Sequence, residues 1–196
     1  MLIATTNPGK VREIRRVLAA LPFEVKTLAD LPPFQDPEET GSTFAENALL
    51  KANYYARSSG LATVAEDSGL VIDALGGRPG VLSARYPGAT YADKFANLYR
   101  ELSIHPRPWT ARFVCSLAHV GAPGPGGSAV LFTCEATVEG EIAAEPRGAH
   151  GFGYDPIFFY PPYGRTLGEA TDEEKLAVSH RGAAFVQFRS WLNRRA

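Results

Sequence analysis

Met1-Leu2-Ile3-Ala4-Thr5-Thr6-Asn7-Pro8-Gly9-Lys10 decides how the rest of the chain is read. A short apolar run breaks at a polar turn carrying Pro and Gly. Val11, Ile14, Val17, Leu18 and Leu21 then recur at helical spacing. The pattern predicts a buried strand over Leu2 to Thr5, a turn, and a helix over Val11 to Leu21, the opening of an α/β unit. Such a turn aims backbone N–H groups and the positive end of the helix dipole at one point, which suits a phosphate, and Lys10 adds a mobile positive charge there. Its glycine spacing matches neither a Walker A loop nor a dinucleotide fingerprint.

The surrounding composition narrows the class. A chain of 196 residues with 45% hydrophobic content can build one sizeable core, so residues 1–196 are expected to form a single domain, with room for two lobes around a cleft. Twenty basic residues against 21 acidic ones leave a formal net charge of -1, so no global field recruits nucleic acid. An anionic ligand must be held by a local cluster. Cys115 and Cys134, the only cysteines, sit in apolar runs and make neither a disulfide framework nor a zinc site, so buried reduced thiols are expected. No apolar run approaches the ~20 residues that span a bilayer, and no secretory leader pattern is present, so a cytoplasmic protein without membrane contact is expected.

Further along, Phe23 to Leu28 reads as a second strand, followed by a Pro-rich acidic loop, Ala29 to Gly41. Thr43 and Glu46 form a capping box opening a helix to Ser58 that ends at Ser59-Gly60. Its Phe44, Ala48, Ala52 and Tyr55 form a packing stripe, while Thr43, Asn47 and Lys51 share a polar face. Leu61 to Ala65 reads as a strand stopping at Glu66-Asp67-Ser68-Gly69, with Leu70 to Ala74 resuming beyond. Thr90 caps a helix from Tyr91 to about Ser103. Thr110 to Val120 reads as a half-exposed strand joined across the Gly-rich turn 121–127 to Ser128 to Glu139, as a long antiparallel hairpin. Thr171 and Glu174 cap a helix containing Lys175, and a closing helix spans Ala183 to Arg194.

Three anion-suited groups, the Lys10 turn, Lys51 and Lys175, and two acidic clusters, Glu38-Glu39 and Glu66-Asp67, need a common guest. A polyphosphate with a divalent ion fits: lysines contact phosphate oxygens, carboxylates hold Mg2+, and a carboxylate beside the ion can take a proton from an attacking water. Phe152 offers a ring face to a nucleobase. Asp155 as acceptor with His180 or Arg181 as donor would favour a 6-oxopurine over adenine, which shows the reverse pattern. Gly151 and Gly153 open the backbone around Phe152 and Tyr154 to a ligand.

The blocks Thr5 to Lys10, Glu38-Glu39-Thr40-Gly41 with Phe44-Ala45-Glu46-Asn47-Ala48, Glu66-Asp67-Ser68-Gly69-Leu70, Ser83-Ala84-Arg85-Tyr86, Gly151-Phe152-Gly153-Tyr154-Asp155-Pro156-Ile157-Phe158, and Glu174-Lys175 with Ser179-His180-Arg181-Gly182 closely resemble the inosine triphosphate pyrophosphatase family. The order and spacing are similar over nearly the whole chain. The resemblance implies hydrolysis of deaminated purine nucleoside triphosphates (dITP, ITP, XTP and dXTP) between the α and β phosphates, giving a monophosphate and pyrophosphate with Mg2+ and so cleansing the nucleotide pool. It implies a mixed α/β fold with a twisted central sheet and flanking helices, two lobes around an active-site cleft, and a homodimer. Residue by residue, Thr5, Thr6, Asn7, Pro8, Gly9 and Lys10 would bind substrate. Glu39 and Asp67 would hold the metal, with Asp67 also the proton acceptor. Ser68, Phe152, Gly153, Tyr154, Asp155, Lys175, His180 and Arg181 would bind substrate, and Lys51 matches a lysine that contacts phosphate. Glu66 stands where relatives commonly carry Asp, and Thr6 where Gly is common. Two alternatives remain open at this point: a related pyrophosphatase for pyrimidine or modified nucleotides, and a nucleotide-binding module without catalysis.

Overall fold

The computed structural model describes residues 1–19, 21 and 24–195. The elements in chain order are β1 (Leu2–Ile3), α1 (Pro8–Leu18), β2 (Lys26–Thr27), α2 (Phe44–Ser59), β3 (Thr63–Ile72), α3 (Tyr91–Leu102), β4 (Thr110–Val120), β5 (Val130–Ile142), β6 (Phe158–Tyr160), β7 (Arg165–Thr166), α4 (Asp172–Val178) and α5 (His180–Asn193). Among the described residues, seven strands make one mixed sheet in the order β2-β1-β3-β4-β5-β6-β7. β1 runs parallel to both β2 and β3, pairing Leu2 with Lys26 and with Thr63, while β5, β6 and β7 are antiparallel neighbours. The mixed α/β class expected from the sequence is therefore present. No helix among the described residues is long and apolar enough to cross a membrane.

The chain divides into two compact units, the first built from Met1–Ser68, Cys115–Ala136 and Arg181–Ala196, the second from Gly69–Val114 and Thr137–His180. The first unit packs Leu2 and Ala4 against Ala48, Ala52, Tyr55 and Ala56 of α2 and Ala118 and Val120 of β4. Small residues on α2 let it lie close to the sheet. The second unit is larger-grained: Leu98 and Leu102 of α3, Phe113, Ile157, Phe158 and Leu167 form its core.

Local signals set several boundaries. Thr43 Oγ1 accepts from Glu46 N–H (3.1 Å), Glu46 Oε2 accepts from Thr43 N–H (3.1 Å), and Gly60 closes α2 with a left-handed φ of 72°. The Thr171 box opens α4 in the same way, and Thr90 with Asp93 opens α3. Between β4 and β5, Arg112 meets Glu139 and Ser116 meets Glu135, pairs of constant index sum as an antiparallel hairpin requires.

Other expectations are corrected. α1 begins at Pro8, not Val11, because Asn7 caps it and Pro is preorganised for the first helical position. β1 stops at Ile3. The second strand is only Lys26–Thr27; Phe23 lies outside the described residues. β3 runs unbroken from Thr63 to Ile72 through Glu66 and Asp67, where two strands and a turn were expected. β4 is buried along nearly its whole length rather than half-exposed, and α5 starts three residues early, at His180. Cys115 is buried as expected, but Cys134 is only half-buried, and neither is in a disulfide.

Candidate active site

The N-terminal turn is a capped helix start. Asn7 Oδ1 accepts from Gly9 N–H (2.9 Å) and Lys10 N–H (3.1 Å), so these two amides are already satisfied, contrary to the free N–H groups expected. A side-chain oxygen two or three residues upstream reaches orphan amides before any ligand does. Lys10, on the first turn of α1, is drawn inward to Glu66, with Nζ to Oε1 at 2.9 Å.

That contact explains why β3 is continuous. Carboxylates are tolerated inside a sheet only when cations meet them. Glu66 is almost fully buried and receives both Lys10 and Arg181, whose Nε lies 3.3 Å from Oε1. Arg181 spreads its fork further, donating from NH1 to Glu13 on α1 (2.7 Å) and from NH2 to Ser68 Oγ (2.8 Å). Burial alone would raise the Glu66 carboxyl, yet Lys10 and Arg181 outweigh it and hold the group well below the usual glutamate range. Cys115 Sγ rests 3.7 Å from Glu66 Oε2, and burial pushes that thiol up, so it stays a neutral donor.

One residue along β3, Asp67 turns to a different partner. Lys51 Nζ lies 2.8 Å from Asp67 Oδ1 and 2.6 Å from Glu39 Oε1, so a single ammonium joins the two acids. Asn47, fully buried one turn earlier on α2, donates from Nδ2 to Asp67 Oδ2 (3.3 Å) and accepts Gly41 N–H on Oδ1 (2.8 Å). Burial pushes the Asp67 carboxyl above its ordinary value; Lys51 opposes that shift and Glu39 adds to it. Burial works to lower the Lys51 ammonium, but Asp67 and Glu66 hold it above its usual range.

The pairing of Glu39 and Asp67 around one cation is a test of fit for a divalent ion. Two carboxylates that accept a shared ammonium point their oxygens at one place. Mg2+ is ordinarily held by one or two carboxylates, with waters and substrate phosphates completing its shell. No group of three or more His, Cys, Asp or Glu with metal-binding spacing exists among the described residues, and none is needed for that mode. The donor set therefore fits.

The second unit holds the aromatic turn. Asp155, almost fully buried, accepts Phe152 N–H (2.7 Å) and Lys175 Nζ (2.5 Å) on the same oxygen. Lys175 also lies 4.3 Å from the centre of the Phe152 ring, a cation–π contact. Gly151 is required here: its φ is 72°, and a Cβ would meet Asp155 Oδ2 at 2.2 Å. Phe152 is half-buried, whereas Tyr154 is a core ring whose OH donates to Ser83 O (2.7 Å). His180 stacks on Phe113 at 4.9 Å.

The structure thus gathers Lys10, Lys51, Glu39, Asp67, Ser68 and Arg181 in the first unit, and Phe152, Gly153, Tyr154, Asp155, Lys175 and His180 in the second. Arg181, read from sequence as a donor to a base, spends its guanidinium on Glu13, Glu66 and Ser68. Thr5, Thr6 and Pro8 also line a cavity of about 790 Å3 with Arg12, Phe34 and Tyr55, whose walls include none of Glu39, Glu66 and Asp67. Sequence reading missed Glu13, whose only signal was a carboxylate flush against the apolar stripe of α1, and it saw Asn47 merely as part of a polar face.

The model of the Ham1 family matches residues 1–191. The dITP/XTP pyrophosphatase of Geobacillus kaustophilus is 50% identical over 190 residues, covering 95% of this chain and 91% of that protein. The dITP/XTP pyrophosphatase of Bacillus subtilis is 48% identical over 195 residues, covering 97% and 96%. Among solved structures, a HAM1 protein from Coxiella burnetii superposes with a TM-score of 0.89 at 40% identity, covering 98% of each chain. A nucleoside-triphosphatase / dITP/XTP pyrophosphatase from Mycobacterium abscessus gives 0.75 at 43% identity, covering 95% of this chain and 97% of the other. With the family model spanning nearly every residue and relatives of this identity matched end to end, the chain belongs to the Ham1 family.

Proposed function

We propose that this protein hydrolyses deaminated purine nucleoside triphosphates, dITP, ITP and XTP with dXTP, to the nucleoside monophosphate and pyrophosphate. The relatives' names, dITP/XTP pyrophosphatase, support the substrate class. The observation that carries the chemistry is the Glu39 and Asp67 pair sharing the Lys51 ammonium.

In this reading Lys10 and Lys51 exchange their carboxylate partners for phosphate oxygens when the triphosphate arrives, keeping each charge paired throughout. The hydroxyls of Thr5, Thr6 and Ser68, rather than the amides that Asn7 caps, seat the phosphate chain. Glu39 and Asp67 would hold a Mg2+ ion, which would supply charge neutralisation for the triphosphate. Asp67 accepts a proton from the attacking water. The water oxygen bonds to phosphorus as the α–β anhydride breaks, and pyrophosphate leaves. Arg181 stays on Glu13 and Glu66 and holds Ser68, fixing the geometry around β3.

Phe152 stacks on the base, and the Asp155–Lys175 pair with His180 supplies the polar groups that read its edge. The protein works in the cytoplasm as a homodimer, following the family resemblance. The test is product analysis with dITP and Mg2+: inosine monophosphate (deoxy form) and pyrophosphate in equal amounts are expected, and release of inorganic phosphate with the diphosphate would contradict the assigned bond.

A further inference from the structure

We propose that Asn47 is a positioning residue that fixes the Asp67 carboxylate and sets its separation from Glu39; this rests on the roles given to those two acids above. Asn47 is 0% exposed, and it uses both ends of its amide. Because Gly41 N–H can only donate, Asn47 must turn its oxygen toward Gly41, which leaves its NH2 facing Asp67. The orientation of the amide is dictated by the backbone and not by choice of rotamer.

The consequence reaches both acids. Asp67 Oδ2 is occupied by the Asn47 donor at 3.3 Å, so the carboxylate cannot rotate freely and Oδ1 is the oxygen turned to Lys51. Gly41 lies two residues beyond Glu39, so the same amide anchors the loop that carries the other acid. One side chain therefore ties a loop and a strand, 26 positions apart in sequence at Gly41 and Asp67, into one frame. Glycine at 41 is part of the device, since a Cβ there would stand 2.6 Å from Asn47 Oδ1. Partners that orient metal-ligating carboxylates typically change metal affinity or activity by ~10 to 100-fold when removed.

The experiment compares wild type, Asn47→Leu, Gly41→Ala and Asp67→Asn in pyrophosphate release from dITP, in thermal melting, and in Mn2+ affinity by electron paramagnetic resonance. Asn47→Leu removes the donor while keeping the branching and number of side-chain heavy atoms, and Gly41→Ala pushes the same amide from outside should the first variant fail to fold. For the folded variants, kcat is expected to fall by ~10 to 100-fold with KM within about threefold, and Mn2+ affinity to fall by ~10-fold or more. A merely structural role would lower the melting temperature and leave Mn2+ affinity and kcat unmoved, which would overturn the inference. An inactive Asp67→Asn beside fully active Asn47→Leu and Gly41→Ala overturns this inference alone. Wild-type turnover in Asp67→Asn overturns the underlying reading of the site and the inference with it.

Discussion

Around Glu66 and Asp67 every charge is met by an opposite charge drawn from distant sequence: Lys10 and Arg181 on one acid, Lys51 on the other, Glu13 closing the chain. Around Phe152 a single buried pair, Asp155 and Lys175, organises a tight glycine turn and lays a cation on an aromatic ring. On the proposed reading the first region would store its function as exchangeable counter-ions, since a cation that already sits on a carboxylate can pass to a phosphate without being stranded. On the same reading the second would store it as shape, because its ion pair fixes the turn while the ring offers area. Damage should therefore appear in different observables: turnover and folding in the first region, base affinity in the second.

The sharpest break in the first region is Asp67→Asn. It keeps the shape and removes the proposed proton acceptor, so turnover on dITP should fall by ~10^2 to 10^4-fold while nucleotide binding persists. Near-normal kcat in that variant would strip Asp67 of its role. Glu66→Ala probes the same network as a structure: Lys10 and Arg181 lose a shared buried partner, and breaking a buried pair typically costs ~3–5 kcal/mol. Urea unfolding should show that loss, and a change below about 1 kcal/mol would mean that the cations find water or other acids easily.

In the second region Phe152→Ala should weaken dITP by the ~1–3 kcal/mol usual for one stacked base, read chiefly in the apparent affinity with kcat less affected. An unchanged affinity would remove the ring from base recognition. The smallest expected effect lies away from both regions. His119 is buried against Phe188 and Trp191 with Nδ1 3.1 Å from Thr63 O, and burial pushes its pKa down. The unfolded chain then binds a proton that the fold refuses, so stability is complete above the ordinary histidine value near ~6.5 and declines as pH falls below it. Melting temperatures at pH 7.5 and 5.5 should differ in wild type and converge in His119→Phe; an equal acid loss in both would assign the effect elsewhere.

What could be read in advance followed how local the cause was. The caps at Thr43, Thr90 and Thr171 and the bounds of β4 depend on neighbours within four residues or on simple alternation, and all stood in the sequence. The unbroken β3 did not, because Glu66-Asp67 looks like a strand end until Lys10, Lys51 and Arg181 are known to neutralise it, and these lie 56, 16 and 115 positions away. The candidate site residues stood out by type, as acids, lysines and an aromatic turn. Their partners did not: nothing local says that Arg181 would go to Glu13 or that Asn47 would hold Asp67. Asn7-Pro8 carried a clear helix-start signal, and reading it as an open phosphate turn overlooked the side chain's own claim on the amides.

On the proposed reading this site cuts triphosphates of 6-oxopurines that lack the 2-amino group of guanine. The most direct measurement is the steady-state rate of pyrophosphate release, with Mg2+, from dITP, XTP, dGTP, dATP and dTTP under matched conditions. The account predicts kcat/KM for dITP and XTP well above the other three. Equal values across all five would contradict it.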